Sequence, residues 1–80
     1  MGESEKRYKT DEQTITRIGL NIRTYRKLKG LTQNDLSLKT GLSRSQLYSY
    51  ENGKVNQNVS SLKAIADILE IQTAQLFDGV

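Results

Sequence analysis

The 80-residue sequence predicts an all-α fold of five helices. Three observations carry that reading. Apolar residues recur at steps of three and four, the period of one helix face. No segment alternates apolar and polar residues with the two-residue period of a half-buried strand. Most of the apolar stripes begin just after a residue able to cap a helix N-terminus, and three segments stop at Gly30, Gly41 and Gly53, as helices commonly do.

The elements follow in order. Residues 1–12 are polar and aperiodic and read as a flexible arm, ahead of a single domain at 13–80. Thr10 and Gln13 have capping-box spacing, and Ile15, Ile18, Ile22, Tyr25 and Leu28 mark the inner face of the helix that follows. Lys27 and Lys29 suit the negative end of that helix. Thr32 with Asp35 repeats the box for a short second helix, Gln33 to about Lys39, with Leu36 inward. Ser43 caps a third, Arg44 to about Asn52, with Leu47 and Tyr50 inward. Asn58 opens a fourth, striped by Leu62, Ile65, Ala66 and Leu69. A last turn around Ala74–Phe77 brings Leu76 and Phe77 onto the core.

Composition narrows the function. The chain has no Cys, His, Trp or Pro. That removes disulfides, thiolate and imidazole metal sites and His-assisted nucleophiles, so neither enzyme activity, a metal nor a cofactor is expected. No apolar run is long enough to span a membrane. The absence of Cys fits a reducing cytoplasm, and no small-molecule ligand is expected. No phosphate-binding glycine pattern occurs, because Gly53-Lys54 lacks the earlier glycine such a loop needs.

The formal charge of +3 is unevenly spread. In residues 1–16, Lys6, Arg7 and Lys9 oppose Glu3, Glu5, Asp11 and Glu12, leaving −1. In residues 17–54, Arg17, Arg23, Arg26, Lys27, Lys29, Lys39, Arg44 and Lys54 oppose only Asp35 and Glu51, leaving +6. In residues 55–80, Lys63 opposes Asp67, Glu70 and Asp78, leaving −2. A basic centre of this kind attracts polyanions, and nucleic acid is the commonest.

The second and third helices, joined by Thr40-Gly41-Leu42-Ser43, have the form of a helix-turn-helix at about residues 33–52. Around it run Ile18-Gly19, Ile22-Arg23, Arg26, Gly30-Leu31-Thr32-Gln33, Leu36, Gly41-Leu42-Ser43, Leu47 and Glu51-Asn52-Gly53-Lys54. Leu62, Ile65-Ala66, Leu69 and Leu76-Phe77 complete the pattern. In this order and spacing, residues 15–78 resemble the lambda-repressor and Cro-like helix-turn-helix family, also called the xenobiotic-response-element family.

That resemblance implies a lambda-repressor-like domain that binds a double-stranded DNA operator and regulates transcription, as repressor rather than activator, from bacterial or phage sources. The third helix would lie in the major groove, where base pairs are distinguishable. Arg44, Ser45, Tyr48 and Ser49 would then be the base contacts. Gln33, Asn52, Lys54 and Asn56 would hold phosphates. Arg26 and Glu51 stand where many relatives place a structural ion pair. A homodimer on a palindromic operator follows from the half-site each unit reads, with Leu20, Ile71, Leu76 and Phe77 as its expected surface. Two positions depart from the pattern: Tyr48, where relatives usually carry a small residue, and Gln57, where they often carry Pro. The competing reading is a protein-interaction adaptor or antitoxin-type module on the same fold, with weak DNA binding. Restriction–modification controllers, antitoxins and phage repressors all share this size, and the sequence does not separate them.

Overall fold

Asp11, one residue later than expected, opens the first helix. The computed structural model describes residues 11–80. Helix α1 spans Glu12–Leu28, and the Asp11 carboxylate accepts from the Gln13 and Thr14 amides. The Thr14 hydroxyl also donates to it at 2.8 Å. A carboxylate is the better cap here, because it adds charge to the positive helix end. Asp11 and Glu12 therefore belong to the cap and first turn of this helix, while the expected Thr10 cap and residues 1–10 of the arm lie outside the described residues.

Three further helices start at the expected caps. Helix α2, Gln33–Thr40, has the Thr32–Asp35 capping box closed in both directions. Helix α3, Arg44–Glu51, is capped by the Ser43 hydroxyl, which accepts from the Gln46 amide. Helix α4, Val59–Leu69, is capped by Asn58. The fifth element, Thr73–Phe77, is a 3-10 helix rather than an α-helix. Among the described residues there is no strand.

The turn between α2 and α3 fixes their angle. Gly41 has φ 83° with its N–H on the Ser37 carbonyl, a left-handed conformation costly for a residue with a Cβ. The Ser37 hydroxyl donates to the Leu42 carbonyl at 2.5 Å, and the Thr40 hydroxyl returns to the Leu36 carbonyl at 2.7 Å. Small polar side chains thus satisfy the loose ends of a turn too tight for long ones.

The core gathers Ile18 and Ile22 of α1, Leu36 of α2, Leu47 and Tyr50 of α3, Leu62, Ile65, Ala66 and Leu69 of α4, and Leu76. Burying each large aliphatic contributes ~1.5–3 kcal/mol. Leu28 is not part of it. It is 77% exposed, because α1 ends there and the chain turns at Lys29-Gly30 before the core is reached. Leu76 is fully buried and offers none of the association surface expected of it, whereas Ile71 is half-buried against the core and keeps part of its side chain outside. The tight 3-10 turn aims Leu76 inward and leaves Phe77 42% exposed. Phe77 therefore does not join the core beside Leu76.

Candidate nucleic-acid interface

Helix α3 presents two unlike faces. Leu47, Tyr50 and Glu51 are buried, whereas Arg44, Ser45 and Tyr48 are exposed and Ser49 is half-buried. Positions 44, 45, 48 and 49 are neighbours at three- and four-residue spacing, so these side chains share one outward surface. Tyr48 is 51% exposed. The sequence expected this row, and the fold assembles it.

The row does not stand alone. A surface notch between α2 and α3 is lined by Thr32, Gln33, Asn34, Arg44, Ser45, Tyr48 and Ser49. The first turn of α2 therefore borders the outward row of α3. The amides of Gln33 and Asn34 lie in that turn, where the helix leaves its donors without intrahelical partners. An anion can sit against such donors, and a guanidinium fork such as Arg44 can bond two acceptors at once. The sequence did not single out Asn34. Its signal was available: it is the second residue of the helix Gln33 opens.

A buried ion pair holds α3 against α1. Arg26 Nε donates to Glu51 Oε2 at 2.7 Å and Nη2 donates to Oε1 at 3.0 Å. Arg26 Nη1 donates to the Leu31 carbonyl at 2.8 Å, and the Gln33 side-chain amide donates to Glu51 Oε1 at 3.1 Å. One cluster thereby ties α1, the loop before α2, the start of α2 and the end of α3. Among the described residues, no side-chain nitrogen or oxygen that is buried lacks a partner. The expected pair is present, and Gln33, expected only as a phosphate ligand, also belongs to it.

The end of α3 is built by close approach. A Cβ added to Gly19 would stand 2.4 Å from the Tyr50 carbonyl oxygen and 2.7 Å from that of Glu51. Only a glycine lets α1 lie this close. The Gln57 amide donates to the Ile15 carbonyl at 3.0 Å and to the Tyr50 carbonyl at 3.1 Å, giving this departure from the family pattern a bonding role. Asn52 donates its amide to the Tyr48 carbonyl at 2.8 Å and so caps the helix, while its residue remains exposed. Lys54 and Asn56 follow on the loop, beside Thr16 and Gly53. The phosphate candidates thus fall at two places, Gln33 at the start of α2 and Asn52, Lys54 and Asn56 beyond α3.

Among the described residues, no group of acidic side chains is placed to hold a metal ion. No helix among them is long and apolar enough to cross a membrane.

Comparison with known proteins agrees with this geometry. The chain is 42% identical over 63 residues to the HTH-type transcriptional regulator SlrR of Bacillus subtilis, covering 78% of this chain and 41% of that protein. It is 39% identical over 59 residues to the immunity repressor protein of Bacillus phage phi105, covering 74% of this chain and 41% of that protein. The chain thus spans about 41% of the length of these two relatives. The crystal structure of the restriction–modification controller protein C.AhdI from Aeromonas hydrophila superposes with a TM-score of 0.76 at 32% identity, covering 79% of this chain and 96% of that one. The family model for helix-turn-helix domains, HTH_3, matches residues 22–76, and the chain belongs to this helix-turn-helix family.

Proposed function

We propose that the protein is a sequence-specific DNA-binding regulator of transcription, a repressor, that reads the major groove with α3. The observation that carries this reading is the outward row of Arg44, Ser45 and Tyr48 on a helix whose opposite face is buried. Arg44 bonds a guanine edge through its fork, and the serines and Tyr48 adjust the choice at neighbouring base pairs. Gln33, Asn52, Lys54 and Asn56 hold phosphates on either side and set the register. The repressor assignment draws on the phage relative, which is an immunity repressor.

One such unit reads about half a helical turn, too little for tight specific binding. A homodimer on a palindromic operator doubles the footprint. Of the exposed apolar residues, Leu20, Phe77 and Val80, exposed by 43%, 42% and 60% respectively, are assigned to this interface. Leu20 and Val80 line one surface groove. Its work on DNA places the protein in the cytoplasm.

The test is selection of bound duplexes from a random pool, followed by titration at several salt concentrations. A regulator yields a palindromic consensus and a steep salt dependence. An adaptor on the same fold yields neither.

A further inference from the structure

We propose that Arg23, on α1, is a further DNA-phosphate contact, extending the interface beyond the helix-turn-helix itself. The inference rests on the DNA-binding reading and names a residue that reading leaves unassigned. Its basis is the way α1 crosses the end of α3. Thr16 lies beside Gly53, where an added Cβ would be 3.0 Å from the Thr16 Cα. Gly19 lies against the Tyr50 and Glu51 carbonyls. Arg26 pairs with Glu51. Residues 16, 19, 23 and 26 are spaced by three, four and three, so they share one flank of the helix. Arg23 is therefore on the flank that meets α3, between the residue touching its last carbonyls and the residue bonded to Glu51.

The two ends of this flank border both groups of phosphate candidates. At Thr16 it adjoins Lys54. At Arg26 it adjoins Glu51, which also takes the Gln33 amide. Thr16 and Arg23 are separated along the axis by ~10 Å, so Arg23 puts a cation between the two groups. The opposite flank of α1 is occupied otherwise. Asn21 there donates to the Leu76 and Asp78 carbonyls at 2.9 and 2.8 Å, and Tyr25 donates to Asp78.

Arg23 is exposed. It has no hydrogen bond or ion pair among the described residues. The acid that packs against this flank at Arg26, Glu51, is already bonded to Arg26 and Gln33. An uncommitted guanidinium on the side of the helix that meets α3 is suited to a phosphate oxygen.

Arg17 supplies the control. It is also exposed and basic on α1, but its guanidinium lies over Gly79, where an added Cβ would be 3.3 Å from Arg17 Nε, away from α3. Arg23→Gln and Arg17→Gln change the net charge equally. The experiment titrates wild type, both variants and Arg23→Lys against a mixed-sequence duplex of about two helical turns, at several salt concentrations, with thermal melting to verify folding. Arg23→Gln is expected to weaken binding roughly three- to ten-fold and to lower the salt slope by about one counterion per subunit. Arg17 borders the groove of Leu20 and Val80, so sedimentation checks that Arg17→Gln associates as wild type does; it is then expected to stay within about two-fold, and Arg23→Lys to keep most of the slope. If wild type binds and the two Gln variants behave alike, Arg23 is a solvated charge and the assignment falls while the function stands. If wild type shows no salt-dependent binding, the DNA-binding reading fails and the assignment falls with it.

Discussion

Arg26 and Glu51 meet through two parallel hydrogen bonds, at 2.7 and 3.0 Å, with side chains 9% and 2% exposed. The pair joins the scaffold helix to the end of the outward-facing one, so the angle of α3 depends on it. Removing one partner strands a buried charge, which typically costs ~3–5 kcal/mol. That is a large share of the ~5–15 kcal/mol that holds a small domain together. Arg26→Ala should lower the melting temperature steeply or prevent folding. Chemical denaturation of Arg26→Ala beside wild type measures it, and an unchanged midpoint would mean that the pair contributes nothing.

Gly19 makes a sharper demand than Gly41. Alanine at position 41 meets nothing within 4 Å, and its cost is the left-handed backbone at φ 83°, about 1–2 kcal/mol. Alanine at 19 meets backbone atoms of Tyr50 and Glu51 at 2.4 to 2.9 Å, which cannot rotate away. Gly19→Ala should cost ~1–3 kcal/mol as overpacking, and it should displace α3 as well. Gly19→Ala is therefore expected to lose DNA affinity even where it remains folded, and Gly41→Ala to lose stability alone. Binding titrations of both variants below their melting temperatures separate the two effects.

Between neutral pH and strong acid, stability should depend on pH through carboxylates. The Thr14 hydroxyl and amide hold the Asp11 carboxyl below its ordinary value, the Thr32 amide and hydroxyl do the same for Asp35, and Lys29 does so for Glu70. A carboxyl with a lowered folded-state pKa binds its proton less readily folded than unfolded. Its contribution is complete above the ordinary carboxylate range and is lost as pH falls through the lowered value. The chain has no His to titrate near neutrality. Melting temperature should stay level from about pH 8 to about pH 5 and drop below about pH 4. Asp35→Asn should destabilise at neutral pH, and the difference from wild type should shrink as pH falls through the lowered Asp35 value and that carboxyl is itself protonated. A melting series on wild type and Asp35→Asn measures both limbs.

The association surface can be tested by charge. Phe77 is 42% exposed and Leu76 is fully buried, although they are adjacent. Phe77→Glu should leave the fold intact and shift a dimer to monomer, weakening operator binding about ten-fold or more, whereas Leu76→Glu should unfold the domain. Sedimentation of Phe77→Glu with and without a palindromic duplex reads the outcome. A variant that still dimerises would move the interface off this turn.

What the sequence made legible was local. Thr32, Ser43 and Asn58 cap the helices they were expected to cap, because capping depends on residues three apart. The stripe Leu62, Ile65, Ala66, Leu69 is buried as its period required. Long-range contacts were less visible. Nothing local to Gln57 announces that its amide meets the Ile15 and Tyr50 carbonyls, and nothing local to Asn21 points to Leu76. Leu28 continued the helical period but lay past the edge of the core. The facing of Leu76 and Phe77 depended on a 3-10 turn, which rotates side chains by a different step from an α-helix. The outward row of α3 was legible because its inward partners Leu47 and Tyr50 were, and the two faces exclude each other.

The central claim, that α3 reads base edges, is tested most directly by comparing Arg44→Ala with Lys54→Ala on the selected operator and on each of its single-base changes. Arg44 lies in the first turn of α3, on the outward row beside the notch, and Lys54 lies beyond the end of that helix. The expected result is that Arg44→Ala costs ~1–3 kcal/mol on the best operator and flattens preference at one base pair per half-site. Lys54→Ala should weaken every duplex by a similar factor and lower the salt slope by about one per subunit. Equal loss from Arg44→Ala on every base change would contradict the claim for Arg44. If Ser45, Tyr48 and Ser49 variants also left the preferences unchanged, α3 would not be the reading helix.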